Sequence, residues 1–520
     1  MLSRWSVPEP KLLPPPPRNS DHESSMWVDE QIWGHRLWDS QSPWLIFLEF
    51  LTVAEACHRE GQLLDNEKRP FSLSFRPNKR MYLRNILYNN ENIFELAKRY
   101  PDDATAWREW LDWMQSNAQA VPDTDFSYLK KRFRSFDQFA SLVAMIRSST
   151  IESGSNKRWS SRFVFPFGRH AIYEDLSVVG GTPSREYIYF GRPGELMYQM
   201  LARSQDAERL RPHLARAFDR KDACDRLLAL MQPDLPDDLQ TRGNSYLPYK
   251  SHPTFDALAH DWLAVFDLEL PRFDAYPHLV TLGALHLALY QLVVAAELCN
   301  DRRPSFVCEV VAPRKTLVRE LSVMSYLLNN QLPQRAVEDH VRSIGLTDAW
   351  RAAAADASGF AACRELMRER VRWPRDKDDY DGPTEPEALL SALKRAALAR
   401  HRQHVANVHR SYGGGAGLVS RRGTNRLRYA PTDELLKALI LANVPVRMEY
   451  GEFLAVLFDR YGLVFGEREA CQVLSSEEFD KRAFQANSAR LQGRLKTLGM
   501  LRRLSDACAY VENPLRKATP

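Results

Sequence analysis

The chain has 520 residues, of which 44% are hydrophobic, 26% charged and 11% aromatic. This composition excludes a largely disordered chain and leaves room for two to four domains. The formal net charge is only +5, so a strongly basic surface requires local clustering of cations. Seven cysteines lie far apart with no Cys-x-x-Cys pair, and the first residues lack the apolar core of a signal peptide. Both features indicate a cytoplasmic protein without a zinc ribbon or a disulfide scaffold.

The first 150 residues divide into a tail and a helical region. Residues 1–25 contain four consecutive prolines followed by polar residues, which predicts a disordered tail. A helix is predicted over 44–57, because Pro43 suits the first turn of a helix. Further helices are expected at 79–89, 93–100, 105–116 and 128–148. We therefore assign residues 26–150 to a helical, aromatic-rich domain.

Residues 151–373 form the predicted central domain, which is mostly helical with a short β element. Aromatic runs at 162–167 and 186–190, bounded by Gly, Pro and Ser, are typical of short strands. The segment 280–299 is long enough to span a membrane, but it contains His286, Gln291 and Glu297. These polar groups are costly in lipid, so the sequence favours a buried core helix and no membrane partner.

An acidic, proline-containing linker is predicted at 374–390, and a strongly basic segment follows it. Residues 391–430 contain nine Lys or Arg and no Asp or Glu, a local charge of +9. Such a density of cations indicates contacts with phosphates, although a solvated linker remains the alternative. The predicted nucleic-acid contacts in this segment are Arg421, Arg422, Arg426 and Arg428.

The remaining residues have the pattern of a winged-helix-like domain, which together with the basic segment makes up residues 391–520. Two amphipathic helices are predicted near 433–440 and 450–461, then a third over about 477–498, ended by Gly499 and followed by a short hairpin. Seven cations and no acid occur between 481 and 505. We predict that the third helix enters a major groove and that the hairpin holds the DNA backbone, through Asn487, Arg490, Arg494, Lys496, Arg502 and Arg503.

No established catalytic motif occurs in the chain, so we predict no catalytic residue, metal or cofactor. Arg395 to His401 and Arg402 to His409 have the spacing used by some helical ribonucleases, but such spacings arise by chance in a segment this basic. An acidic cluster near Asp261 has the oxygen ligands of a metal site, although a solvated helix end is the more common explanation. His35 near two acids is an acid–base candidate, but the tryptophans on both sides favour a structural or partner-binding surface.

Two stretches, VDEQIWGHRLWDSQSPWLIFLEFL near the N-terminus and GLVSRRGTNRLRYAPTDELLKALI near the C-terminus, resemble accessory proteins of bacterial methylation-associated antiphage defence systems. No residue's role carries over from this resemblance. It implies a cytoplasmic bacterial protein that works with other defence subunits. The leading hypothesis is a non-catalytic subunit that binds duplex DNA and serves as a scaffold. A divergent metal-dependent or HEPN-like nuclease and a pure assembly subunit are the alternatives.

Overall fold

Helices make up 60% of the residues that the structure describes and strands 8%, which confirms the predicted mainly helical class. The computed structural model describes residues 27–65, 73–152, 157–219, 222–235, 239–356, 358–371, 384–421, 426–505 and 508–516. The predicted tail, most of the predicted acidic linker and Arg422 lie outside the described residues.

The N-terminal helices pack around α2, which begins where Pro43 predicts it. The Ser42 side chain accepts a hydrogen bond from the backbone N–H of Leu45 and so caps the helix. Thirteen consecutive residues of α2, 45–57, are buried, so this helix lies in the middle of the core. The elements of this region are α1 (Val28–Trp33), α2 (Pro43–Arg59), β1 (Leu73–Phe75), α3 (Met81–Tyr88), α4 (Ile93–Arg99), α5 (Asp103–Asn117), α6 (Tyr128–Arg132) and α7 (Phe136–Ser148).

The central region contains short strands between helices. Its elements are β2 (Thr150–Ile151), β3 (Phe163–Val164), β4 (Leu176–Val179), β5 (Thr182–Arg185), α8 (Pro193–Ala202), α9 (Ala207–Asp219), α10 (Ala223–Leu230), β6 (Arg242–Ser245), α11 (Pro253–Phe266), α12 (Arg272–Leu298), β7 (Phe306–Val307), α13 (Leu317–Gly345), α14 (Asp348–Ala355) and α15 (Gly359–Val371). Single turns of 3-10 helix occur at 159–161, 169–171 and 405–407.

Of the two short strands predicted in this region, one is present, and the prediction of the other is wrong. The 162–167 run includes β3, which pairs with β2. The 186–190 run forms no strand, because the hairpin β4–β5 comes just before it. Gly180 and Gly181 both have positive φ and make a two-residue turn, and the pairing set by that turn ends at Arg185 opposite Leu176.

Helix α12 contains the segment predicted to be a buried core helix. By length and composition it is apolar enough to cross a membrane, with a mean hydropathy of 1.9 over its most apolar stretch. However, 89% of that stretch is buried inside the protein, where α12 packs against α2, α11, α13, α17 and α18. Such burial is typical of a core helix, as the sequence predicts.

The C-terminal region ends in a three-stranded antiparallel sheet with the strand order β10–β13–β12. Gly499, with φ of 72°, follows α21 and leads into β12, as the sequence predicts. The elements are α16 (Pro386–Gln403), α17 (Val408–Gly415), β8 (Val419–Ser420), β9 (Arg428–Tyr429), α18 (Asp433–Asn443), β10 (Arg447–Glu449), α19 (Tyr450–Tyr461), β11 (Leu463–Val464), α20 (Glu467–Val473), α21 (Lys481–Thr497), β12 (Leu501–Arg503) and β13 (Ala509–Glu512).

The C-terminal region is joined to the helical body by a continuous core. Strand β11 pairs in parallel with β7, and one hydrophobic cluster includes residues from Val28 to Val511. A second, smaller cluster places Phe484 of α21 against Val318 and Leu321 of α13. The predicted domain boundaries stay a prediction, but the orientation of α21 is set by contacts with the body.

Candidate nucleic-acid interface

Helix α21 turns its apolar residues inward, as predicted, and Asn487 turns inward with them. Phe484, Leu491 and Leu495 are fully buried. The Asn487 amide is also fully buried: its Oδ1 accepts from the backbone N–H of Val310 at 2.9 Å, and its Nδ2 donates to the carbonyls of Cys308 and Phe465 at 3.0 Å each. The prediction that Asn487 reads a base edge is therefore corrected, because this amide has no access to the surface.

Arg490 and Arg494 are half-buried and hold α21 to its neighbours. Arg490 Nε donates to the carbonyl of Val310 at 3.2 Å. Arg494 donates to the Asp433 carboxylate and, at 2.8 Å, to the carbonyl of Pro431. Because these donors already have acceptors, both arginines position the helix, and only their remaining N–H groups are left for a ligand.

Arg428, predicted as a phosphate contact, is inside the protein. Its guanidinium pairs with the Glu309 carboxylate, and the two side chains are 2% and 1% exposed. An arginine without exposure contacts no phosphate, so this residue is corrected to a structural one. Arg421 and Arg426 are exposed and flank residues 422–425, which lie outside the described residues.

Besides Lys481 and Arg482 at the start of α21, exposed cations lie at the end of α21 and on the hairpin that follows it. Lys496, Arg502 and Arg503 are all exposed, and Arg503 Nε also donates to the carbonyl of Ser505. Gly499 leads the chain directly from the helix into β12, so these cations fall between positions 496 and 503, with Arg502 and Arg503 on opposite faces of the strand. We call Lys496, Arg502 and Arg503 the basic edge.

The surface around the basic edge is less uniformly positive than the sequence suggests. In the sheet, Arg502 pairs with Tyr510, and Tyr510 pairs with Glu449 on β10. Residues opposite each other across an antiparallel sheet point to the same face. Glu449, on an earlier strand, therefore adds a negative charge to the face that carries Arg502. Arg447, whose guanidinium lies 5.6 Å from the Tyr510 ring, adds a positive charge to the same face.

Much of the basic 391–430 segment packs against the body. Helix α16 lies against α13, and Lys394 pairs with Glu338 at 3.1 Å. Arg400 pairs with Asp29 and Glu30, at 3.1 and 2.9 Å, so both acids near His35 are engaged in ion pairs with this arginine. The exposed cations that remain in the described part of the segment are Arg395, Arg402, Arg410, Arg421 and Arg426.

The histidines considered for catalysis are buried. Burial lowers the pKa of His401 to about 4 and that of His409 to about 3, so both are neutral at pH 7. His409 Nε2 lies 3.0 Å from the Tyr429 hydroxyl. His35 accepts a hydrogen bond from the backbone N–H of Tyr246 at 2.8 Å. Such burial is typical of core histidines, and within the described residues the buried Nδ1 atoms of His401 and His409 have no hydrogen-bond partner.

Asp261 belongs to a buried polar junction that the sequence pattern did not indicate. Its carboxylate lies 2.7 Å from His286 Nε2, accepts from the Tyr461 hydroxyl at 2.7 Å and pairs with Arg460. Burial raises the pKa of Asp261, but its contacts with His260, His286 and Arg460 lower it well below its ordinary value. The junction joins α11 and α12 to α19. Within the described ranges, no group of three or more His, Cys, Asp or Glu side chains is arranged to hold a metal.

The fold and the candidate interface define a predominantly helical protein with a basic edge on its C-terminal sheet. Residues 385–512 match the model of the family described as methylation-associated defense system protein MAD7. This match supports the resemblance to an accessory protein of methylation-associated defence systems. No curated protein and no solved structure matches the chain.

Proposed function

We propose that this chain is a non-catalytic subunit of a methylation-associated defence system and that it binds the phosphates of duplex DNA through its C-terminal sheet. The observation that carries the proposal is the basic edge, three exposed cations at the junction of a helix and a hairpin. Membership of a multi-gene system implies other subunits as partners. A cytoplasmic location belongs to the same proposal.

The order of elements supports a winged-helix-like interpretation of residues 433–512. The helix α18, the strand β10, three further helices (α19, α20 and α21) and the hairpin β12–β13 follow one another, with the short strand β11 after α19. Strand β10 adds to the hairpin in the sheet order β10–β13–β12. In DNA-binding proteins of the helix-turn-helix group, the recognition helix lies in the major groove. In this chain α21 would take that place, and β12–β13 would be the wing.

The exposed face of α21 favours contact with phosphates over reading of bases. Arg482 begins this face and Lys496 ends it. Between them are Gln485, whose amide can donate and accept, and Ala486, Ala489 and Gly493, which carry no polar side-chain atoms. Sequence is read through hydrogen bonds to base edges, for which these small residues have no donor or acceptor. We therefore infer weak sequence preference and a strong dependence of affinity on salt.

Docking of other subunits is the second candidate function, and an exposed apolar stripe on α13 favours it. Met324, Leu327 and Leu328 are 49%, 49% and 64% exposed, and Leu317 extends the stripe to the start of the helix. Large apolar side chains grouped on one exposed helix face are typical of a protein interface. A partner with an apolar helix face would fit this surface.

The nuclease alternative has less support. His401 and His409 are buried and have no access to a substrate, whereas Arg395 and Arg402, the arginines that precede them in this spacing, are exposed. A direct test is incubation of the purified protein with DNA and RNA in Mg²⁺ or Mn²⁺. Cleavage that is lost in His401→Ala or His409→Ala would replace the present proposal.

The proposal is tested by charge reversal of the basic edge. The triple variant Lys496→Glu/Arg502→Glu/Arg503→Glu is compared with Lys130→Glu/Lys131→Glu/Arg134→Glu. The control changes the net charge equally at three exposed positions on and next to α6. Only the first variant should lose affinity for a duplex in a gel-shift assay. If the parent binds no DNA but co-purifies with the products of neighbouring genes, docking is the better function.

A further inference from the structure

Five planar side chains from three parts of the chain form a stack on the helical body. The Trp38 ring lies on the ring of His404, with centroids 4.1 Å apart and planes 12° apart. The Arg36 guanidinium lies 5.1 Å from the Trp38 ring and 4.3 Å from the Tyr187 ring. Arg185 continues the stack at 4.7 Å from Tyr187. We call these five residues the planar stack; all of them are half-buried.

The arginines around this stack differ in how their charge is balanced. Arg185 pairs with the fully buried Glu195, and Arg192, 5.5 Å from the Tyr187 ring, hydrogen-bonds the Tyr187 side chain. Arg36 makes no hydrogen bond and no ion pair with the part of the chain that the structure describes; its close contacts are the two rings. Its guanidinium therefore has five N–H donors and no protein acceptor among the described residues.

A guanidinium in this situation suits a phosphate. The two rings fix its plane, so little side-chain entropy is lost when its N–H edge binds an anion. Planar, paired N–H groups match the geometry of two phosphate oxygens. A partly buried cation of this kind also gains more from an anion than a fully solvated one does.

Burial and neighbouring cations set the electrostatics around Arg36 and Tyr187. Burial lowers the pKa of Arg36, and the charge of Arg192 lowers it further. Burial raises the pKa of Tyr187, but the charges of Arg185 and Arg192 lower it below its ordinary value. The lowered pKa of Tyr187 has the sign expected beside two cations, whereas for Arg36 burial is the largest cause and the charges of Tyr187 and Glu30 oppose it.

The backbone supports the same conclusion. Arg36 and Arg192 both have positive φ, at 53° and 89°. This region is unfavourable for residues with a side chain, and such conformations persist where the surrounding structure holds them, often at ligand sites.

We propose that Arg36, supported by Arg192, binds a phosphate group at the planar stack. The phosphate belongs to a nucleic-acid strand or to a free nucleotide, and both have the same chemistry at this site. The site lies on the helical body and involves no residue of the basic edge. It is therefore a second anion site, whose existence does not depend on the proposed function.

The test compares Arg36→Gln with Arg99→Gln by isothermal titration calorimetry. Arg99 is an exposed arginine that lies over a ring, at 5.5 Å from Tyr100, so the control removes the same charge from a similar contact. The two probes are a single-stranded DNA of about 20 nucleotides and ATP. Loss of a charge-assisted hydrogen bond predicts roughly tenfold weaker binding of at least one probe for Arg36→Gln only. The probe affected identifies the source of the phosphate.

Two further measurements keep the test decisive. Arg36→Lys retains the charge but loses the planar donor pair, so it should also weaken binding, and it replaces Arg36→Gln if that variant does not fold. The triple variant of the basic edge should retain the Arg36-dependent binding even where duplex binding is lost. The inference is overturned if neither probe binds the parent, or if both Arg36 variants bind as the parent does.

Discussion

Removal of the Arg428 guanidinium should destabilise the fold strongly and leave a buried, unpaired carboxylate. The Glu309 and Arg428 side chains are 1% and 2% exposed, so Arg428→Met takes away the counter-charge of a group that water cannot reach. Breaking a buried ion pair in this way costs about 3–5 kcal/mol. The free energy of unfolding changes by up to about 3 kcal/mol per molar urea in small proteins and by more in larger ones, so the midpoint of unfolding should fall by at most about 1–1.7 M.

The assay is urea unfolding followed by tryptophan fluorescence, with Arg426→Met as the control. Arg426 lies two residues earlier and is exposed, so the same substitution there should shift the midpoint little. Replacing both partners, as in Arg428→Met/Glu309→Leu, should recover most of the loss, because an apolar pair leaves no buried charge. If Arg428→Met were as stable as the control and bound DNA more weakly, the nucleic-acid role predicted from sequence would be restored.

Two further predictions concern buried polar residues. Asn487→Ala leaves three backbone groups without their partner, which should cost about 2–4 kcal/mol of unfolding free energy while the folded variant binds DNA as the parent does. A loss of DNA affinity without loss of stability would contradict this. The lowered pKa values of His401 and His409 mean that the unfolded chain binds more protons below pH 6.5, so stability should fall as the pH drops from about 6.5 towards 4. Urea midpoints at several pH values should show a smaller drop for His401→Asn; an unchanged drop would contradict the assignment.

The local features of the C-terminal region could be predicted from sequence because they depend on residues close together in the chain. The apolar stripe of α18 at Leu435, Leu436, Leu439 and Ile440 is buried as predicted, and Thr432 caps the helix. The start of α21 was less well predicted. The predicted start was near residue 477, but the helix begins at Lys481 after the Asp480 cap, and Ser475 and Glu478 hydrogen-bond each other in the turn before it.

The candidate site was only partly predictable, because its geometry depends on partners far away in the sequence. Asn487 and Arg428 bond residues 308–310, more than one hundred positions earlier, and no local pattern identifies such partners. Likewise, the absence of acids between 481 and 505 is a property of that stretch of sequence alone. In the folded protein, Glu449 on another strand lies on the same sheet face as Arg502. Exposure separates Lys496, Arg502 and Arg503 from the cations that hold the fold together.

The central claim is that the basic edge binds duplex DNA through phosphates, and the salt dependence of affinity tests it most directly. For a duplex of mixed sequence, the logarithm of the association constant is measured against the logarithm of salt concentration. Each phosphate contact contributes about 0.9 to the slope, so Lys496→Glu/Arg502→Glu/Arg503→Glu should reduce its magnitude by about 3. The Lys130→Glu/Lys131→Glu/Arg134→Glu control should keep the parental slope. Equal slopes for the parent and the basic-edge variant would contradict the claim.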